Sequence, residues 1–161
     1  MKKVLAVNKV ITPIDFSKNA DFIARSAIHM AGAFQASLVF VFVVQDFQDY
    51  SGFFVPEMNM PNLERDLHVG AEKKMDSFCA GYEDLCKEEG VSQFNHKVLA
   101  GDVAEQITDF ALEEKGDLIV MGTHGYKGLE KVMFGSVADK VVKSAHCPVT
   151  TINPYTCCGA E

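Results

Sequence analysis

Two kinds of apolar pattern alternate along this chain. Short unbroken apolar runs rich in β-branched residues are typical of strands buried on both faces of a parallel sheet. They lie at 8–14, 37–44, 117–121 and 148–152, while 93–99 has an alternating pattern that also predicts a strand. Apolar residues three and four apart indicate one buried face of a helix. That spacing recurs at 22–34, 63–85, 103–111 and 137–145. The chain therefore predicts five strands and four helices, with the third strand weaker and at an edge.

Local signals indicate where several of these helices begin and end. Ser17 follows the first strand and is expected to cap the first helix. Asp102 and Glu105 have the spacing of a capping box. Gly90 is expected to end the second helix in a left-handed C-cap. The stretch 45–61 is predicted to be irregular, because it contains Gly52, Pro56, Asn59 and Pro61, and the sequence leaves its role open.

The alternation predicts an α/β fold, a three-layer α/β/α arrangement around a five-stranded parallel sheet. Ligands of such sheets bind at the carboxyl ends of the strands, where the strand order reverses. Two strand ends carry unusual residues: Pro13-Ile-Asp15 after the first, and Gly122-Thr-His-Gly125 after the fourth. If these strands are neighbours, the order 3-2-1-4-5 places the reversal between them.

A glycine segment, defined here as residues 122–136, joins the fourth strand to the last helix. Its pattern is Gly122-x-x-Gly125, nine residues, then Gly135-Ser136. Glycine lets the backbone approach a ligand closely, and the unpaired N–H groups of a helix N-terminus suit phosphate. The segment predicts a nucleotide pocket; the alternative is that its glycines only turn a surface loop.

Composition narrows the class of protein. With 161 residues, 48% of them hydrophobic, the chain is long enough for one domain with a sizeable core. We expect that domain at 1–161, its core at about 9–153 and a flexible tail at 154–161. The net charge of −7 disfavours nucleic acid and anionic membranes as partners. No apolar run is long enough to span a membrane, and Met1–Asn8 is too short for a signal peptide. We therefore expect a cytoplasmic protein.

The cysteines and histidines show no spacing typical of a metal site. Cys79 and Cys86 share a helical face but lie about 10 Å apart along its axis, too far for a disulfide. Cys147 is expected in the core. Cys157 and Cys158 stay open between a thiol or metal role and a frayed tail.

Three motifs together resemble the ATP-binding branch of the universal stress protein family. They are Pro13-Ile-Asp-Phe-Ser17, the glycine spacing of 122–136, and Cys147-Pro-Val149. The resemblance covers about 9–153. It implies a site for adenine nucleotide built from Pro13, Asp15, Val43, Met121, Gly122, His124, Gly125, Gly135, Ser136 and Val137.

The resemblance also implies a role for each part of the site. Asp15 would accept a hydrogen bond from the adenine amino group, and Val43 would contact the base. Met121 and Gly122 would pass under the ribose. The segment from His124 onward would bind the phosphates, through the N–H groups of 135–137 and the Ser136 hydroxyl. The alternatives are that Asp15 is a helix cap and that Val43 is only a core residue. Ser136 is expected to cap the last helix as well as to bind phosphate.

The implied cofactor is ATP, or ADP or AMP. Mg²⁺ would be held through the phosphates, since no carboxylate cluster lies beside the segment. Ala138 stands where some relatives carry a hydroxyl. The resemblance further implies a homodimer paired through the last strand, about 148–153, with a protein partner that stays unknown. We expect a regulatory module that binds ATP in the stress response. The alternatives are a slow ATPase or self-phosphorylating enzyme, with His124 as its base, and a dimeric scaffold that binds no nucleotide.

Overall fold

The computed structural model describes residues 5–45, 60–124 and 135–156. Its strands are β1 (Lys9–Pro13), β2 (Ser37–Gln45), β3 (Phe94–Gly101), β4 (Leu118–Gly122) and β5 (Val149–Ile152). Its helices are α1 (Ala20–Ala33), α2 (Met60–Ala80), α3 (Glu83–Glu89), α4 (Val103–Glu113) and α5 (Ser136–Ser144). Most of the stretch 45–61 lies outside the described residues, as do Gly125, Cys157 and Cys158.

The strands form one parallel sheet in the order β3-β2-β1-β4-β5. Both the α/β class and the predicted order are confirmed. β1 lies at the centre between β2 and β4, so the strand order reverses between β1 and β4. In the part of the chain described here, no helix combines the length and the apolar character needed to cross a bilayer.

Helices cover the sheet on both sides and create two separate cores. We call the side packed by α1, α2 and α3 the aromatic face. It buries Val10, Ile14, Ile28, Leu38, Phe40, Met75, Tyr82 and Val120, with Phe16, Phe42, Phe78 and Phe94 partly buried against them. We call the side packed by α4 and α5 the aliphatic face. It buries Ile11, Val39, Val41, Val43, Ile107, Ile119, Met121 and Val141.

The prediction of one helix over 63–85 was wrong in one respect, because the structure has two helices there, α2 and α3. The Gly81 N–H bonds to the carbonyl oxygen of Phe78, and the Tyr82 N–H to that of Cys79. These bonds span three residues and form a tighter turn than an α-helix. The turn places Tyr82 against the core, so the apolar spacing continues through the break. For that reason the spacing alone did not reveal two helices.

The helix ends confirm two of the predicted caps and correct one. The Asp102 side chain accepts from the Glu105 N–H at 3.1 Å, and Gly90 ends α3 with φ of 82°. Ser17, however, is not the cap of α1, because Asn19 occupies the N-cap position. The hydroxyl oxygen of Ser17 instead accepts from the Asn19 N–H at 3.3 Å, before the helix begins.

Cys79 and Cys86 both lie in the core of the aromatic face as free thiols. Burial raises the pKa of the Cys79 thiol to about 12 and that of Cys86 to about 11, with nearby carboxylates adding to the effect. These thiols therefore stay protonated near neutral pH and act as small apolar side chains. Cys147 is half-buried and packs against the aliphatic core, close to the expected position.

Candidate functional site

The end of β1 turns sharply into α1. Asp15 is half-buried, and its Oδ1 accepts a hydrogen bond from the Ser17 N–H at 2.9 Å. Phe16 between them has a left-handed backbone with φ of 55°, which costs energy for a residue with a side chain. Its ring packs against Phe42 at 4.8 Å and Phe78 at 5.6 Å between centroids. This packing stabilises the turn that directs Asp15 to the carboxyl edge of the sheet.

The end of β4 holds both ends of the glycine segment together. The Thr123 N–H donates to the Ile152 carbonyl oxygen at 2.9 Å, which extends the pairing with β5 by one residue. The Thr123 carbonyl oxygen accepts from the Gly135 N–H at 2.7 Å. Thr123 is thus bound on one side to the last strand and on the other to the residue before α5. The start of α5 is thereby fixed beside the end of β4.

The first turn of α5 offers backbone N–H groups near this edge. Gly135 is the N-cap residue, in extended conformation. The first intrahelical bond runs from the Asp139 N–H to the Gly135 carbonyl oxygen at 3.0 Å. The N–H groups of 136–138 precede that bond, the general situation at a helix N-terminus. The Gly135 N–H, which was expected to bind phosphate, is instead bonded to the Thr123 carbonyl oxygen. Ser136 is therefore not the cap; it is the first helical residue, and its side chain is exposed.

Gly122, the last residue of β4, has space around it for a small side chain. A Cβ atom added there would lie 3.4 Å from side-chain atoms of Ile23 and from the His124 carbonyl oxygen. That distance is ordinary van der Waals contact, so the fold itself tolerates alanine at this position. The absence of a side chain at Gly122 therefore has no evident explanation in the packing of the described residues.

Val43 and Met121 lie in the core of the aliphatic face, 8% and 4% exposed. Their packing agrees with the plain core interpretation of these residues. Because both stand near the carboxyl ends of their strands, they also lie near the edge where Asp15 and Gly122 lie. Pro13 ends the strand between them, and Val137 is half-buried beside the same core.

Two further residues of this edge were not found from the sequence. The Thr123 hydroxyl lies 2.8 Å from Nδ1 of His124, and both side chains are buried. The His124 ring packs edge-to-face on Tyr155, with centroids 5.4 Å apart. Thr123 occupies a variable position of the glycine motif, and Tyr155 falls in the expected tail. The only sequence signal for Tyr155 was its position as an aromatic residue directly after Asn153-Pro154.

The structure thus brings most of the predicted site residues to one edge. Asp15 follows β1, Gly122 and His124 end the neighbouring β4, and Gly135 is bonded back to Thr123. Gly125 lies outside the described residues. A separate cavity of about 380 Å³ lies between α2 and β3, lined by Asp76, Cys79, Ala80, Glu83, Phe94, Asn95 and His96. None of the predicted site residues lines it.

This geometry defines a class of protein: a doubly wound α/β domain with a glycine segment at its topological switch point. The sequence model of the universal stress protein family matches residues 6–153. The chain belongs to that family.

Individual relatives agree with this assignment. The chain is 34% identical to Universal stress protein MJ0531 of Methanocaldococcus jannaschii over 144 residues, 89% of this chain and 81% of the relative. The solved structure of universal stress protein UspA from Lactobacillus plantarum matches with a TM-score of 0.76 at 26% identity, covering 91% and 97% of the two chains. The universal stress protein from Archaeoglobus fulgidus in complex with dAMP matches with a TM-score of 0.59. At 20% identity over 93% of this chain and 100% of that one, the latter likeness shows the fold.

Proposed function

We propose that this protein is an ATP-binding regulatory module of the stress response in the cytoplasm. The nucleotide lies between the ends of β1 and β4. Asp15 accepts from the adenine amino group, Val43 contacts the base, and Met121 and Gly122 pass under the ribose. The N–H groups at the start of α5 and the Ser136 hydroxyl bind the phosphates, and Mg²⁺ is held through phosphate oxygens and water.

One observation supports this proposal most. The bond from the Gly135 N–H to the Thr123 carbonyl oxygen places the first amides of α5 at the switch point, beside the end of β1. Donors at a helix N-terminus are suited to phosphate because they are unpaired and lie at the positive end of the helix dipole. The dAMP complex of the structurally similar Archaeoglobus protein adds support for an adenine ligand.

In this proposal the site binds ATP and does not hydrolyse it rapidly. The His124 ring, which the enzyme alternative needs as a base, is buried, lies 2.8 Å from the Thr123 hydroxyl and packs on Tyr155. A general base must reach the proton it removes. The side chain of His124 is engaged in packing at the base of the glycine segment, which suits a positioning role better than catalysis.

The direct test is to purify the protein without added ligand, denature it, and identify released nucleotide by chromatography and mass. Near-stoichiometric ATP is the expected result. Recovery of ADP alone would point instead to turnover. An empty protein that also takes up no added Mg-ATP in calorimetry would contradict the proposal and favour the scaffold.

Gly122→Ala gives a sharper test, because alanine fits the fold at this position. We expect the variant to keep the thermal stability of the wild type but to bind ATP about tenfold or more weakly, a loss of about 1.4 kcal/mol. The reason is that the added methyl occupies the space through which the ribose passes. Calorimetric titration with Mg-ATP measures the change.

Gly81→Ala is the matched control for this variant. A Cβ atom there would also lie 3.4 Å from a backbone oxygen, that of Phe78, but at the turn between α2 and α3. Its affinity for ATP should equal that of the wild type. Equal affinities of both variants would place the nucleotide away from Gly122.

We also propose a homodimer paired through β5, an edge strand of the described sheet. The Pro148 carbonyl oxygen accepts from the Ile119 N–H near the start of β4, and the Ile152 carbonyl oxygen accepts from the Thr123 N–H just after its end. In a parallel ladder the alternate residues, Val149 and Thr151, then direct their backbone groups to the outer edge. Unpaired edge groups are a ready surface for a second copy.

Thr151→Pro tests this pairing, because proline removes an outward N–H group while leaving the β4 ladder. Light scattering after gel filtration should show a dimer for the wild type and a monomer for the variant. Thr151→Val, which keeps the N–H group, should stay dimeric. A dimeric Thr151→Pro variant would indicate another interface.

A further inference from the structure

We infer that Tyr155 is a positioning residue for the two described ends of the glycine segment, Thr123–His124 and Gly135, acting through the ring of His124. The inference rests on the proposed nucleotide site, because the glycine segment is its phosphate-binding part. Tyr155 lies beyond the residues 6–153 that the family model matches. Its contacts are therefore a feature of this chain that the family pattern does not supply.

Tyr155 makes contacts on several sides. Its ring lies 5.4 Å from the His124 ring at an interplanar angle of 78°, the favoured edge-to-face arrangement. Its hydroxyl oxygen accepts from Nδ2 of Asn19 at 3.3 Å. Nζ of Lys18 lies 5.4 Å from the ring centroid, within the range of a cation–π contact. Its backbone N–H donates to Oδ1 of Asn153 at 3.0 Å. These contacts fix the ring against the sheet edge.

The hydrogen bond made by the Asn19 side chain supports this assignment. Asparagine at a helix N-cap ordinarily accepts from the second or third N–H of the helix. At α1 the Asn19 side chain makes no such bond. Its amide instead donates to the Tyr155 hydroxyl. The beginning of α1 is thereby tied to the residue that packs on His124.

A short series of contacts connects Tyr155 with the backbone amides at the start of α5. The His124 ring nitrogen Nδ1 lies 2.8 Å from the Thr123 hydroxyl. The backbone of Thr123 carries the bonds to Ile152 and Gly135 that close the base of the segment. Holding His124 before the ligand arrives lowers the ordering cost of binding. Loss of the Tyr155 ring should therefore weaken nucleotide binding without removing any ligand contact.

The test compares Tyr155→Ala and Tyr155→Phe with the full-length wild type. Calorimetry with Mg-ATP should show binding about three- to tenfold weaker in Tyr155→Ala, the worth of one aromatic pair. Tyr155→Phe keeps the ring and should recover most of the affinity. Amide exchange followed by NMR without nucleotide should show faster exchange at Gly135 in Tyr155→Ala, relative to Val120 in the middle of β4.

Phe94→Ala is the matched control, because it deletes a partly buried ring at the opposite end of the strand order. It should lose stability without a change in ATP affinity or in the relative exchange of Gly135. Unchanged affinity together with unchanged Gly135 exchange in a folded Tyr155→Ala variant would overturn the inference.

Two further outcomes separate this inference from the proposed function. If the wild type binds no nucleotide, the proposed function fails, and Gly135 exchange alone decides: faster exchange in Tyr155→Ala supports the positioning role, and unchanged exchange overturns it. If Tyr155→Ala does not fold, Tyr155→Leu decides, since it removes the aromatic ring that packs on His124 but keeps an apolar side chain. Faster Gly135 exchange in Tyr155→Leu supports the role, and unchanged exchange overturns it.

Discussion

The two faces of the sheet are packed with different kinds of side chain. On the aromatic face the fully buried Phe40 ring lies 5.0 Å from Phe94, 6.0 Å from Tyr82 and 6.1 Å from Phe78, centroid to centroid. The buried side chains of the aliphatic face are branched aliphatics, alanines and Met121, with Phe110 partly buried against them, and α4 and α5 are its covering helices. Helix α5, whose first turn carries the amides of the proposed phosphate site, packs on the aliphatic face.

The helices of the aromatic face are also bound to one another. A Cβ atom at Gly32 of α1 would collide with the Glu89 carbonyl oxygen of α3, so these helices pack backbone to backbone. The Tyr82 hydroxyl donates to Oδ1 of Asp21 at 2.7 Å. This bond, together with Arg25, lowers the pKa of the Asp21 carboxyl, although burial opposes the shift. Most of the stability should therefore reside on this face, while the amides of the proposed phosphate site begin α5 on the aliphatic face.

The largest expected effect comes from Phe40→Ala, which removes the centre of the aromatic face. Deletion of a buried ring of this kind costs about 3–5 kcal/mol, from lost transfer energy and the cavity left behind. Urea unfolding at constant m-value measures the loss of stability. Because Phe40 lies away from the proposed site, the folded variant should bind ATP as the wild type does.

Val141→Ala is the counterpart on the aliphatic face. Val141 is also fully buried, but it is smaller, so its truncation should cost about 2 kcal/mol. Since Val141 holds α5 on the sheet, this variant should nevertheless weaken ATP binding more than Phe40→Ala does. A larger affinity loss in Phe40→Ala would contradict the assignment of stability and ligand binding to different faces.

The sequence predicted the sheet well because its strands are buried on both sides. Unbroken runs such as 37–44 have few alternative structures, and the glycine and proline positions limit the connections. The order 3-2-1-4-5 followed from placing the chemistry of Pro13–Asp15 beside that of Gly122. Helix boundaries were harder to predict, because the stripe through Phe78 and Tyr82 has the same spacing in one helix as in two.

The sequence predicted that the ends of β1 and β4 meet at one edge of the sheet, but it did not reveal the side-chain contacts at that edge. Glycine spacing identifies a close approach of the backbone, a local property that the sequence displays directly. The contact of Tyr155 with His124 and Asn19 joins residues far apart in the chain, and no periodicity records such a contact. The cap of α1 was misplaced for a similar reason, because Ser17 was assigned without knowledge of the turn at Phe16.

The smallest expected effect concerns a buried hydroxyl on the aromatic face. Thr12 of β1 is fully buried beside Phe40 of β2, and its Oγ1 has no hydrogen-bond partner among the described residues. Burying an unpaired hydroxyl costs about 1–3 kcal/mol, whereas a methyl group of the same shape costs nothing comparable. Thr12→Val should therefore raise the free energy of unfolding by about 1 kcal/mol, measured by urea unfolding.

Thr108→Val on α4 is the matched control for that stabilisation. The Thr108 hydroxyl is also buried, but it donates to the carbonyl oxygens of Ala104 and Glu105 at 3.1 and 3.0 Å. Removing a satisfied hydroxyl should leave stability unchanged or slightly lower. If Thr12→Val were instead destabilising while Thr108→Val stayed neutral, the Thr12 hydroxyl would be satisfied in solution. The aromatic face would then contain no unpaired hydroxyl at Thr12 that lowers the free energy of unfolding.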